Sequence, residues 1–410
     1  MNHPLSRPTP TGRVVSLDQF RGYTVAGMFL VNFLGSFVAC PRILRHTHDY
    51  CSYADTIMPQ FLFAVGFAFR LTFERRVQRE GFAAAYARVI RRLLGLALLS
   101  LVIYVHSPIA ISWSQLSGMP LSELAGIVVK REWFQTLMHI AVTTLWILPV
   151  IRASAGVRIG YALLSAAAHV AISAWFNFDW VNTAPKGVDG GPLGFLSWSI
   201  AAIAGTIACD LVTTARGNSP APRIAVMGIV LMLAGWTMSC GTRLYDHEFV
   251  PTPQPGEPPY VEPARDWRLA DDGVIPDAAR WKGRDVHTLL AEPPFVPPPS
   301  AEFRSWNYWM MSQRAGSISY VTFAAGFALA VFSAFYVACD VWGWRSRLFE
   351  TLGVNALAGY VLHDLVDGCI SSFAPKDCPD GWMWGAFAVY FGICWLFLRT
   401  LEKSGIFLRL

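Results

Sequence analysis

Two histidines, His46 and His48, open the stretch HTHDYCSYADTIMP at residues 46–59, with Asp49 and Asp55 beside them and an apolar run directly after. A neutral imidazole accepts a proton near pH 7 and can attack an activated acyl group. Asp49 or Asp55 could orient such a ring and stabilise its cation. Asp55 also falls in the first turn of the next helix, where a carboxylate serves equally well as a cap. Pro59, four residues on, either kinks that helix or helps to start it. His46, His48, Asp49 and Cys51 could be drawn as a metal set. No distant His pair completes a zinc pattern, so no metal is expected.

The helix before this loop reads SLDQFRGYTVAGMFLVNFLG. Asp18 and Arg21 are three apart and share a face. Asn32 lies eleven residues beyond Arg21, about three helical turns, and so falls on the same stripe. Polar groups within an apolar helix usually face a bundle interior or a cavity. They can also be a snorkelling ion pair and an interhelical hydrogen bond. Further on, WFQTLMHIAV carries His139, and LGVNALAGYVLHDLVDG carries Asn355, Tyr360, His363 and Asp367. Asn355 and Tyr360 diverge on a helix. His363 and Asp367 are four apart and can touch, as a proton relay or a boundary pair.

The elements that must position these groups are membrane helices. The chain has 410 residues, 54% hydrophobic and only 15% charged, too apolar for an ordinary soluble protein of this size. The net charge of +5 is small, and no zinc-finger, phosphate-loop or dinucleotide fingerprint is present, so nucleic acid is not an expected partner. Ten segments are apolar and long enough to be candidate spans: 19–39, 53–73, 92–107, 133–151, 157–176, 194–214, 223–240, 318–339, 350–371 and 383–400. With the N-terminus inside, the inner segments hold most of the basic residues, including Arg75, Arg76, Arg79, Arg88, Arg91 and Arg92. The short outer loops hold fewer: Arg42, Arg45, Lys130, Arg131, Lys186 and Lys376. That bias predicts an all-α polytopic membrane protein with both termini cytoplasmic. The His46 loop then faces the outside.

Residues 1–240 read as a seven-helix bundle with a chemistry-bearing loop at 40–52. Residues 318–410 supply three more helices. Between them, 241–317 is polar, outside and rich in proline, which favours extended backbone. Its aromatic residues favour an ordered lid against the membrane face over a plain linker. Cys40 and Cys51 are close enough in sequence to staple the opening loop in an oxidising compartment.

These residues resemble a known pattern. SLDQFRGYTVAGMFLVN, a His-bearing loop, then YADTIMPQFLFAVGFA is similar to L-D-x-x-R-G, V-N, a K-H loop and A-D-x-x-x-P-x-F-x-F-x-x-G. That pattern belongs to the heparan-α-glucosaminide N-acetyltransferase family of membrane acyltransferases and their bacterial relatives. LGVNALAGYVL resembles the family's later G-x-N-x-L-x-x-Y-x-L element, and WMMSQRAGSISYVTFAAGFALAVF looks like bacterial members. The resemblance implies acetyl transfer from cytosolic acetyl-CoA to an amino sugar or glycan across the membrane. It implies His46, after Arg45, as the catalytic histidine, with Asn32 in the same site. Asp18, Arg21, Asp55 and Asn355 match further motif positions. The loop RHTHDYCSYAD lacks the aromatic-Asn-Gly stretch of the animal enzymes and is one residue shorter to Asp55, so His48 is a rival to His46. His139 stands where many relatives carry arginine.

The expectation is a multi-pass protein of the bacterial inner membrane, with a homodimer open to it. His46, Asn32 and Asp55 are its catalytic candidates. Arg21, Arg91 and Arg92 are candidates to hold the coenzyme phosphates, with Asp18, Asn355 and His139 as further binding residues. Two other readings suit the same composition: a transporter or channel for a small polar solute, and an O-acyltransferase of surface polysaccharide.

Overall fold

A computed structural model describes residues 14–104, 109–215, 218–247, 268–298 and 304–408. Much of the Pro-rich segment, including Tyr260 and Trp267, and the end of the expected 92–107 span lie outside the described residues. The structure is 72% helix with no strand among the described residues. Fourteen α-helices follow in order. The first seven are α1 (Val15–Leu34), α2 (Ile57–Glu80), α3 (Phe82–Tyr104), α4 (Trp113–Gly118), α5 (Leu121–Ile127), α6 (Thr136–Ile147) and α7 (Ala155–Ile172). The rest are α8 (Phe178–Asn182), α9 (Phe195–Thr214), α10 (Ala221–Ser239), α11 (Ile318–Tyr336), α12 (Arg347–Val354), α13 (Ala356–Ser371) and α14 (Asp380–Lys403).

Each of the ten expected segments falls largely on helix. Among the described residues six helical stretches are long and apolar enough to cross a membrane, and a seventh forms if Leu121–Glu132 and Thr136–Val150, bent by 84°, count as one broken span. α1 carries Asp18, Arg21 and Asn32 among its apolar residues, and α3 carries Arg88, Arg91 and Arg92 near its start. The expected single span 350–371 is instead two helices that meet at Asn355, whose backbone leaves the helical region at φ −115°, ψ 39°. At this break the side chain makes long-range hydrogen bonds. The Asn355 side chain donates Nδ2 to the Ile406 carbonyl at 3.2 Å and accepts the Leu408 amide at 3.3 Å. It thereby ties the C-terminal tail into the break.

Small residues let the central helices touch backbone to backbone, since lipid offers apolar side chains no advantage in packing together. A Cβ placed on Gly22 of α1 would sit 1.8 Å from the Phe349 carbonyl oxygen of α12. On Gly66 of α2 it would sit 1.9 Å from the Ala202 oxygen of α9. Phe20, Phe63, Phe332 and Phe335 then interlock edge-to-face between α1, α2 and α11. Asp210 of α9 braces the same bundle: it accepts Arg70 Nε of α2 at 2.8 Å and pairs with the fully buried Arg158 of α7.

This packing makes a contrast testable. Gly66→Ala should cost roughly 1–3 kcal/mol or more by overpacking. Gly160→Ala on α7, where an added Cβ meets nothing within 4 Å, should be neutral or slightly stabilising. Thermal unfolding of the detergent-solubilised variants checks both.

Candidate active site

The loop after α1 folds around one carboxylate. Asp55 lies in a short 3₁₀ turn, Ala54–Thr56, that leads into α2. Its Oδ2 accepts the Ser52 amide and hydroxyl, each at 2.9 Å, and the Thr47 hydroxyl at 3.0 Å. Its Oδ1 accepts from His46 Nδ1 at 3.0 Å. A carboxylate can only accept, so Nδ1 carries the proton and Nε2 of the neutral ring is left with a lone pair. Asp55 is 1% exposed and the His46 side chain 41%, so the carboxylate is sealed while the ring opens into a cavity. Asp55 is more than a helix cap, and it rather than Asp49 orients the histidine.

The cavity is about 690 Å³ and is lined by Asn32, His46, His48, Arg131, Gln135, Lys186, Asp189, Gln313, Arg314, His363 and Asp364, among others. Gln313 and Arg314 come from the end of the Pro-rich segment. Described parts of that segment pack on the opening loop, where the Phe295 amide donates to the Cys51 carbonyl at 2.9 Å. Arg304 pairs with Asp246 at 2.5 Å and with Glu292 at 3.3 Å beside it. Cys40 and Cys51 are free, buried thiols, so no staple closes the loop.

His363 of α13 faces Asn32 rather than Asp367. Its Nδ1 donates to the Tyr360 carbonyl at 2.6 Å, which leaves Nε2 to accept Asn32 Nδ2 at 3.0 Å. Nε2 also lies 3.2 Å from Asp364. Asp367 instead accepts the Ser371 hydroxyl. The i, i+4 spacing is satisfied within α13, but the neighbouring helix offers the better partner.

A second cavity, about 760 Å³, lies at the other end of α1 and is lined by Asp18, Arg21, Arg76, Arg92, Glu350, Glu402, Phe407 and Leu408 among others. Asp18 and Asn32 are fourteen residues apart, roughly 21 Å along the helix, so the cavities occupy opposite ends of the bundle. Thr136 and Tyr360 line both. These two residues mark the waist, where the cavities share a wall.

The structure thus brings Asn32, His46, His48 and Asp55 together at one end, and Asp18, Arg21 and Arg92 at the other. Arg76 joins the latter group. Arg91 is exposed and off the wall, one residue and about 100° round α3 from Arg92. Asn355 holds the tail whose Phe407 and Leu408 line the cavity. His139 is fully buried between Phe134 and Trp198 and lines neither cavity. Asp189, Gln313, Thr136 and Tyr360 were not picked out by sequence as site residues. The only hint at Asp189 is its place in the glycine-rich turn VDGG.

Electrostatics separate the two histidines. Burial opposes a charged His46, yet the bond to Asp55, the Asp55 and Asp189 charges and the Gln313 carboxamide outweigh it, and its pKa is raised. His48 is pushed down to about 3, first by burial and then by Arg314, His46 and Lys186. Its Nδ1 has no hydrogen-bond partner among the described residues.

Fold and site together define a polytopic helical integral membrane protein with a carboxylate-oriented imidazole at one end of its bundle. Residues 13–189 match the family described as Heparan-alpha-glucosaminide N-acetyltransferase, catalytic. That match, over less than half of the chain, supports the resemblance read from the sequence to a family of membrane acyltransferases. No curated protein matches the chain.

The raised His46 pKa carries a stability signature. The ion pair with Asp55 contributes fully below the ordinary value of 6.5 and is lost as pH rises through the folded value. Asp55→Asn should bring the His46 titration midpoint down, because burial then meets less opposition. Histidine NMR titration, assigned with a His46→Gln control, checks this; an unmoved midpoint refutes the coupling.

Proposed function

We propose that this chain is a transmembrane acetyltransferase that moves an acetyl group from cytosolic acetyl-CoA to an amino sugar or glycan on the far side of the membrane. The observation that carries the reading is the pair of cavities meeting at Thr136 and Tyr360, with the His46–Asp55 pair in one and a guanidinium cluster in the other. The name of the matched family supports amine acetylation, and that family in general uses acetyl-CoA. The full proposal has ten spans, both termini in the cytosol and the inner membrane of a bacterium as the site. The distribution of Lys and Arg among the loops supports it.

In this reading Arg21, Arg76 and Arg92 hold the coenzyme phosphates by charge-assisted hydrogen bonds. The thioester arm threads the waist and presents its carbonyl carbon beside His46. Asn32 keeps one amide N–H on His363 and offers the other to the thioester oxygen, where negative charge develops. The acceptor nitrogen attacks the carbonyl carbon, the C–N bond forms and the C–S bond breaks. His46 Nε2 takes the nitrogen's proton and returns it to the departing thiolate. Asp55 holds the ring in the needed tautomer and stabilises its cation. Such base assistance is worth about 10²–10⁴-fold in rate. The same Nε2 serves if the acetyl group rests briefly on the ring.

Transfer from labelled acetyl-CoA to glucosamine in membranes tests the reading. His46→Ala should remove at least about 10²-fold of the activity with expression and melting temperature kept, while His48→Ala should stay within a few-fold of wild type. Near-normal turnover in His46→Ala defeats the assignment, and a dead His48→Ala moves it by two residues.

The waist gives a separate test. Thr136→Trp should abolish transfer but leave coenzyme binding, followed by thermal stabilisation with acetyl-CoA, near the wild-type level. Undiminished transfer would mean that the arm takes another path.

A further inference from the structure

On the same cavity as His46 stands a second carboxylate with an unused oxygen. Asp189 is 3% exposed, yet it lines the cavity wall. Its Oδ1 accepts Gln313 Nε2 at 3.0 Å. Its Oδ2 has no donor among the described residues. Its position is tightly set: the backbone adopts the left-handed φ of +53°, and its carbonyl accepts Trp198 Nε1 at 2.8 Å. Gly190 and Gly191 follow with φ of +81° and +60°. A residue held in this region by its surroundings, within a cavity, points to function. The Gln313 carboxamide lies between Asp189 and His46, donating to the first and stabilising the protonated form of the second.

Two acceptors therefore line one cavity: Asp189 Oδ2 and His46 Nε2. A hydroxyl brings a single donor and can satisfy only one of them. An ammonium brings three and a full charge. We propose that Asp189 binds the acceptor's amino group as an ammonium ion beside His46, and that this carboxylate selects an amine over a hydroxyl as the acetyl acceptor. The proposal rests on His46 as the transfer site. The bound ammonium gives one proton to Asp189 Oδ2, and the free amine attacks the thioester. Its second proton goes to His46 Nε2 and then to the thiolate, and Asp189 returns the first proton to solvent. The products are one amide, one thiol and one proton. Burial, partly offset by Gln313 and His46 and reinforced by Asp55, raises the Asp189 pKa to about 6, which suits a transient proton acceptor.

Asp189→Asn is the informative variant, because asparagine tolerates the left-handed region and the Trp198 bond is to the backbone. With glucosamine and labelled acetyl-CoA, its KM for glucosamine should rise about tenfold or more, the loss of one charge-assisted contact. KM for acetyl-CoA and the melting temperature should stay near wild type. Glucose, the same ring with a hydroxyl in place of the amine, should inhibit wild-type glucosamine transfer only at concentrations about tenfold or more above the glucosamine KM. That second measurement needs no variant to fold. Wild-type glucosamine kinetics in Asp189→Asn, or glucose as potent as glucosamine, overturns the proposal while a dead His46→Ala leaves the transfer site standing. An active His46→Ala overturns the reading beneath it.

Discussion

A carboxylate buried at a membrane boundary must be satisfied by hydrogen bonds, and Asp55 meets that demand from its own loop. Ser52 and Thr47 turn their donors inward, which curls residues 46–55 around a single point. The same turn starts α2, and the Tyr320 hydroxyl of α11 reaches the Asp55 carbonyl at 2.5 Å. One residue therefore joins the opening loop, the second helix and the eleventh. The last acceptor position on Asp55 goes to His46. Without that constraint the imidazole would be a surface group on a mobile loop, with no fixed tautomer and no fixed direction. With it, one nitrogen is held and the other is aimed at open space.

Around that point the bundle behaves as a frame. Backbone contacts at Gly22 and Gly66 hold α1 against α12 and α2 against α9 with little room to slide. The break at Asn355 lets α12 stay on α1 while α13 turns to present Tyr360 and His363 to the two cavities. Described parts of the segment between α10 and α11 pack at the Asn32 end, bringing Gln313 and Arg314 to the cavity from outside the bundle. An apolar interior with polar groups gathered at two opposed cavities is costly in a membrane and survives only where each group has a partner or a task. The guanidinium cluster at one end and the His–Asp pair at the other meet that condition in two cavities that share Thr136 and Tyr360 as lining.

The positions of the helices were legible in the sequence because span length is set by bilayer thickness, a constraint that acts on each segment separately. Proximity of Asn32, His46 and Asp55 was legible too, since all three sit on adjacent elements joined by one short loop. His363 was visible as a titratable group but was matched with Asp367. Sequence spacing ranks neighbours along one helix and is blind to Asn32, 331 positions away. Asn355 looked like part of a binding motif, and its structural task, holding the chain's last residues, depends on a contact 51 positions distant.

What the sequence by itself determined is the broad character of the protein: apolar segments of spanning length, a family resemblance around His46, and a charge bias among the loops. What only the tertiary structure decided is the site's membership. Asp189 and Gln313 lie 143 and 267 residues from His46, in a glycine-rich turn and in a proline-rich segment with no periodicity to read. The surroundings of His46 and His48 likewise differ only in three dimensions. Two positions separate them in sequence, yet only one ring finds a buried carboxylate while the other is left among like charges. Long-range pairing of single polar side chains leaves no periodic trace in a chain, because it is settled by where the helices are anchored and which partner each polar group meets there.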